Sequence, residues 1–144
     1  MAARIGSAKW QGTLQEGVGS VTIGDGFFTA PFSFSTRFEE GEDGTNPEAL
    51  IAAAHAACFT MALNNALFQH DHAPASVETV AKAFIRQIDG LPTIAKIELE
   101  TEAVIPDIDE AHFLEHAEEA RKNCIISRAL AGVPEITLSA KLVS

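Results

Sequence analysis

The hydrophobic and polar positions change period several times along the chain, and each change marks an element. Short runs at 10–14 and 21–23, rich in strand-forming residues, flank Gly17 and Gly19 and predict two strands. Asp25-Gly26 is a hairpin-turn dipeptide. In the run 27–34, Phe32 and Phe34 alternate with Ser33 and Ser35, which predicts a third strand with one buried face. Pro31 has no N–H to give a ladder, so that strand belongs at a sheet edge. Residues 39–46 are polar and read as a loop. Asn46, Pro47 and Glu48 then form a helix-start signature: a capping side chain, a residue whose fixed φ suits the first turn, and an acid at the positive end of the helix dipole. From 49 to 63 the helix is apolar nearly all round, as expected of one buried on every side, and it ends near 69–72, before Pro74.

The next segment carries two patterns. Val77, Val80, Ala81, Phe84, Ile85 and Ile88 fit a helical period, whereas β-branched Thr79 and Val80 and the turn dipeptide Asp89-Gly90 fit a hairpin. Ile97, Leu99, Thr101 and Ala103 alternate with Glu98, Glu100 and Glu102, a strand with one wet face. A hairpin pairing 77–88 with 94–105 is the favoured reading. Asp109 caps a second helix with an apolar stripe of Phe113, Ala117, Ala120 and Cys124. A short helical turn at 127–131 ends at Gly132, and Ile136, Leu138, Ala140 and Leu142 alternate as the last strand. Strands, buried helix, strands, helix, strand is an α+β order. At 144 residues the chain suits a single domain, 1–144, too small to surround an all-apolar helix alone. A dimer that shares its core is therefore expected.

Composition narrows the classes. With 47% hydrophobic and 21% charged residues the chain has material for a core and is no disordered segment. A formal net charge of −10 makes nucleic acid and anionic membrane poor partners. The apolar stretch 49–63 is interrupted by His55 and Thr60 and reads as too short to span a bilayer. No long apolar run follows Arg4, so no signal peptide is expected. Two cysteines are too few for a disulfide-rich scaffold or a zinc ribbon. These features together predict a cytoplasmic protein with reduced thiols.

Cys58 lies inside the apolar helix and Cys124 on the stripe of the other, so both thiols face a core. Either they fill space, as buried cysteines do, or the helices pack and the two sulfurs act as a redox pair. Arg37 is the only permanent cation between Lys9 and Lys82, a span with nine acids. It is either half of a surface ion pair or the guanidinium that an otherwise acidic, water-poor site needs to hold a thiolate. Of the five histidines, His112 and His116 have an i,i+4 ligand spacing, but Glu115, Glu118 and Glu119 make that face read as solvated, and no metal is expected. His70 and His72 suit a helix C-terminus. His55, three residues before Cys58, is either its base or a buried histidine bonded to backbone, the second being favoured.

The segment Gly44-Thr-Asn-Pro-Glu-Ala-Leu-Ile-Ala-Ala-Ala-His-Ala-Ala-Cys-Phe-Thr-Met-Ala-Leu63 resembles the signature of the OsmC/Ohr family of thiol peroxidases, and His55-Ala-Ala-Cys-Phe resembles its OsmC branch. Thr36-Arg37-Phe38, Pro106-Asp-Ile-Asp109 and the Cys-x-x-Ser setting of Cys124 are similar to the family too. The resemblance implies an intertwined homodimer with a buried central helix wrapped by antiparallel sheets, with 77–88 as strand. It implies reduction of organic hydroperoxides without metal or organic cofactor. Cys58 would be peroxidatic, Cys124 resolving, Arg37 and Glu48 activating, and an external dithiol, a lipoyl protein by family resemblance, would reduce the Cys58–Cys124 disulfide. Ile125 follows Cys124 where proline is common in the family, and this departure bears on how Cys124 is presented.

Helix geometry adds a constraint. Glu48 and Cys58 are ten residues apart, which on one helix is about 15 Å of rise and roughly 80° of rotation. If Arg37, Glu48 and Cys58 share a site, either Glu48 comes from a partner subunit or the helix breaks; the first is expected, with two interfacial sites per dimer. Phe34, Phe38, Phe59, Ile125, Ile126 and Leu130 are the expected apolar substrate lining. Two other classes remain: a hot-dog-like acyl thioesterase using a carboxylate such as Glu48, and a non-catalytic dimeric binding module whose cysteines merely pack.

Overall fold

The structure, a computed structural model, describes residues 1–143. Strands β1 (Gly6–Gln11), β2 (Val18–Ile23) and β3 (Phe28–Phe32) form an antiparallel sheet in that order, so Pro31 does lie on an edge strand. The first strand ends earlier than the residue pattern suggests. The Trp10 indole Nε1–H donates to the carbonyls of Gly12 and Thr13 at 3.1 and 3.3 Å, and the Gly17 N–H donates to Thr13 O at 2.8 Å, which winds Leu14 into a turn. Gly19 is required: a Cβ there would lie 2.6 Å from the Trp10 ring and 2.7 Å from that of Phe32, which pack with centroids 5.4 Å apart.

Phe34 does not continue the third strand. Ser33 Oγ accepts from the Thr36 N–H at 3.2 Å, and Thr36 Oγ1 accepts from the Ser33 N–H at 2.8 Å. This capping box starts a short helix, α1 (Phe34–Phe38), that the Phe/Ser alternation concealed. Helix α2 (Pro47–Gln69) begins where the signature placed it, with Asn46 Oδ1 accepting from the Ala49 N–H at 2.7 Å. These elements up to Leu50 make one compact unit; a second begins at Ile51.

From Ile51 onward α2 is not buried on every side. His55, Phe59, Leu63 and Leu67, four residues apart in turn, are fully buried, whereas Ala53, Ala54, Ala57, Met61 and Phe68 are exposed. At 23 residues α2 is also long and apolar enough, by length and composition, to cross a membrane, so shortness does not exclude a span. Its buried stripe belongs to a packed core, joined by Leu99, Ala103, Ile105, Phe113, Ala117, Ala120 and Cys124. Each of the large apolar side chains there contributes roughly 1.5–3 kcal/mol by burial.

That core is covered by a second sheet. Strands β4 (Ser76–Ile88) and β5 (Leu91–Val104) pair antiparallel through the two-residue turn Asp89-Gly90, both with positive φ (51° and 79°), as a type I′ turn requires. The hairpin prevails over the helical period in 77–88. Val80, Ile85 and Ile88 are apolar but exposed, and a bulge at Phe84/Ile85 breaks the alternation, which together imitate helical spacing. Helices α3 (Glu110–Asn123) and α4 (Ile125–Ala129) carry the chain across, and β6 (Glu135–Val143) pairs parallel to β5. The sheet β4-β5-β6 is therefore mixed rather than antiparallel, because such a crossover returns the chain to the end it left. The short helix starts two residues earlier than expected because Cys124 itself caps it.

Candidate active site

Cys124 sits at the joint between two helices. Its backbone N–H donates to Ala120 O at 3.0 Å, closing α3, and its Sγ accepts from the Ser127 N–H at 3.2 Å, opening α4. It is only 2% exposed and belongs to the core. Cys58 is half-buried on α2 and packs against that same core; both thiols are free.

A hydrogen-bonded chain links the two thiol-bearing elements. The Cys124 thiol donates to Ser127 Oγ at 3.0 Å, and Ser127 Oγ lies 2.7 Å from Nε2 of His55, one turn before Cys58. His55 is fully buried, and burial lowers its pKa because the imidazolium would lose its hydration. Its Nδ1 has no partner among the described residues. The expected burial of His55 holds, but its partner is the Ser127 side chain rather than backbone. The Cys-x-x-Ser spacing signals only the contact of Ser127 with Cys124, since a residue three beyond an N-cap meets it.

The acidic half of the chain supplies the second cluster, within residues 1–50. Arg37, in the last turn of α1, donates from Nη2 to Glu48 Oε1 at 2.6 Å and from Nε to Oε1 and Oε2 at 3.1 and 3.2 Å. Glu48 lies in the first turn of α2, its side chain 11% exposed against 41% for Arg37. The guanidinium also lies 5.2 Å from the Phe38 ring centroid, and Phe34 packs on Phe38 at 5.0 Å. Both partners of this pair come from one chain. Two oxygens engaged by a rigid fork hold the guanidinium in a fixed direction.

Among the expected lining residues, Phe38 and Ile125 are exposed, and Phe34, Ile126 and Leu130 are half-buried. Phe59 is different: it is fully buried in the core, where it packs rather than faces solvent. The His116 face is not solvated as expected. His116 is buried and its ring packs on that of His70 at 4.4 Å, while His70 Nδ1 lies 2.8 Å from Ala66 O at the end of α2. His112 is exposed; its backbone N–H donates to Oδ1 of the cap Asp109 at 2.9 Å, and its Nδ1 lies 2.6 Å from Asp109 Oδ2. Among the described residues no group of three or more His, Cys, Asp or Glu side chains comes together as a metal site.

Fold and site together define an α+β protein with two sheets, a long central helix and a reduced cysteine pair on one core. The chain belongs to the OsmC family: the family model for OsmC-like protein matches residues 40–139. It is 41% identical over 140 residues to peroxiredoxin OsmC of Escherichia coli (strain K12), covering 96% of each chain. It is 34% identical over 100 residues to an organic hydroperoxide resistance protein of Xanthomonas axonopodis pv. citri (strain 306), covering 69% of this chain and 68% of that one. Its fold matches the crystal structure of an OsmC-like protein from Mycoplasma pneumoniae with a TM-score of 0.77, over 99% of both chains at 19% identity.

Proposed function

We propose that this protein is a thiol-dependent peroxidase that reduces organic hydroperoxides to alcohols. The observation that carries the proposal is the packing of half-buried Cys58 against the core that holds the free Cys124 thiol. The names of its relatives, a peroxiredoxin and an organic hydroperoxide resistance protein, point the same way. In this reading the Cys58 thiolate attacks one oxygen of the O–O bond. The bond breaks, an alcohol leaves after taking a proton, and Cys58 becomes a sulfenic acid. Cys124 condenses with it, releasing water and forming a disulfide, before further oxidation occurs. An external dithiol, of the lipoyl-protein kind by family resemblance, then restores both thiols by exchange in the reducing cytoplasm. Sulfur carries the oxidising equivalent throughout, so the reaction asks for no metal or organic cofactor.

Arg37 stabilises the thiolate and the charge developing on the leaving oxygen, and Glu48 fixes its direction. Helix α2 runs as one element from Pro47 to Gln69, and an offset of ten positions on one helix is about 15 Å of rise, more than a glutamate side chain covers. This supports a homodimer in which the Arg37–Glu48 pair of one protomer serves the Cys58 of its partner. The exposed apolar face of α2 supports it too. Phe34 and Phe38 beside Arg37, and Ile125, Ile126 and Leu130 following Cys124, are the apolar side chains offered to an organic tail, with Phe59 in the core. Burial of an organic tail at roughly 25 cal/mol per Å² favours alkyl and lipid hydroperoxides over hydrogen peroxide.

The test is peroxide consumption with dihydrolipoamide as reductant. The wild type is expected to turn over cumene hydroperoxide with a higher kcat/KM than hydrogen peroxide, and Cys58→Ser to consume neither. Turnover that survives Cys58→Ser refutes the mechanism; equal efficiency on both peroxides refutes the role of these apolar side chains.

A further inference from the structure

The Cys124 thiol is buried where water does not take its proton directly. Its condensation with a sulfenic acid requires that proton to leave the sulfur, so a route through the protein is needed. The only hydroxyl hydrogen-bonded to it among the described residues is Ser127 Oγ at 3.0 Å, and the next polar atom along is His55 Nε2 at 2.7 Å from that oxygen. We propose that Ser127 and His55 form a proton relay for Cys124, with Ser127 as a catalytic residue on the reacting sulfur and His55 as the positioning residue that accepts through it. The proposal rests on the peroxidase reading for its physiological role.

The hydrogen bonds have a consistent direction. Ser127 Oγ accepts from the thiol, which leaves its own hydrogen for His55 Nε2. The backbone N–H of Ser127 donates to the same sulfur, so it remains to hold the thiolate once the proton has gone. His55 Nδ1 makes no competing hydrogen bond among the described residues. Burial keeps the resting imidazole neutral and ready to accept, and makes the imidazolium short-lived. Placement is the second consequence. His55 lies on the α2 turn preceding Cys58, so the bond to Ser127 ties the helix of one cysteine to the cap of the other.

The step balances without an outside reagent. The Cys124 S–H bond breaks, the proton passing through Ser127 Oγ to His55 Nε2. The sulfur electron pair forms the S–S bond with Cys58, and the Cys58 S–O bond breaks. The departing hydroxide takes up the proton that His55 received and becomes water, and the imidazole returns to its neutral form. The sulfenic sulfur is reduced and the Cys124 sulfur oxidised, with the hydroperoxide as the original oxidant.

The experiment isolates this step from peroxide chemistry. Half-buried Cys58 is converted to a mixed disulfide with thionitrobenzoate by the aromatic disulfide reagent, buried Cys124 being the slower target. Attack by Cys124 then expels the coloured thionitrobenzoate anion, and its rate is followed by absorbance in the folded full-length chain. His55→Gln retains a hydrogen-bonding group but cannot take up the proton, and we expect it to slow release roughly 100-fold. Ser127→Ala is expected to slow it comparably, and Ser127→Thr, which restores the hydroxyl, to recover most of the rate. The wild-type rate is expected to fall by about half in D₂O, a readout that no folding defect touches, as protons in flight in the limiting step require. Wild-type release in His55→Gln, failure of Ser127→Thr to exceed Ser127→Ala, or no isotope effect overturns the relay. Failure of peroxide to oxidise Cys58 overturns the peroxidase reading instead and leaves this assay readable.

Discussion

Replacing Glu48 by glutamine is the sharpest probe of the arginine. The substitution keeps the shape and one acceptor oxygen but removes the charge and the second acceptor. In the native chain Arg37 reaches the carboxylate through three N–H···O contacts between 2.6 and 3.2 Å, and the carboxylate is nearly buried. A hydrogen bond to a charged group is worth about 1.5–3 kcal/mol. Because the guanidinium is 41% exposed, solvent recovers part of that for any misaligned rotamer, and the lower half of the range applies. A loss of about 1.5–2 kcal/mol of oriented charge corresponds to a rate of Cys58 oxidation lower by roughly 10–30-fold. The assay is single-turnover reaction of the reduced protein with excess cumene hydroperoxide in a stopped-flow instrument. Arg37→Lys should give a similar loss, and the double variant little more than either single one, because both changes remove the same fork. A Glu48→Gln rate within threefold of wild type would refute the reasoning, since a freely rotating arginine would then serve as well.

Three further outcomes follow from the geometry. Asp109 caps α3 through the His112 N–H, and that bond and the His112 ring hold its carboxyl below the usual range; Asp109→Ala should lower Tm by roughly 2–4 °C at pH 7, and the difference from wild type should be full above about pH 4 and vanish as pH falls through the depressed native value. Buried His55 favours its neutral form in the fold, so its contribution is complete above the unfolded value of about 6.5 and is lost as pH falls through the lower native value; His55→Gln should flatten the Tm profile between pH 7.5 and 5, and an unchanged slope would contradict this. Met61 lies on the exposed apolar face of α2, so Met61→Glu is expected to give a monomer by sedimentation and to lose peroxide turnover; a wild type that sediments as a monomer would remove the interfacial site.

Much of this was legible because local rules and tertiary demands agree. The Asn46-Pro47-Glu48 signature starts α2 where capping chemistry says it should, and the Asp89-Gly90 turn sets the hairpin register. The alternation of Ile97, Leu99, Thr101 and Ala103 became the buried face of β5. Misreadings occurred where one signal imitated another. The Ser33/Thr36 capping box was hidden in a strand-like alternation, and a bulge with exposed apolar residues made β4 look helical. The apolar face of α2 predicted burial that one chain does not supply. At the site, a lone cation among acids singled out Arg37, whereas Glu48 as its partner came from the family resemblance. The partner of His55 was not foreseeable, because Ser127 is 72 residues away and only the packing of α4 brings its hydroxyl to the ring.

The central claim is that Cys58 and Cys124 of one chain react in sequence. The most direct measurement is a titration of the reduced protein with one equivalent of tert-butyl hydroperoxide, followed by thiol counting and peptide mapping. Loss of both thiols per chain, with Cys58 joined to Cys124 in the same chain and a trappable Cys58 sulfenic acid in Cys124→Ser, is the predicted result. Two thiols still titrating after the peroxide is added, or a disulfide that joins two chains instead, would contradict it.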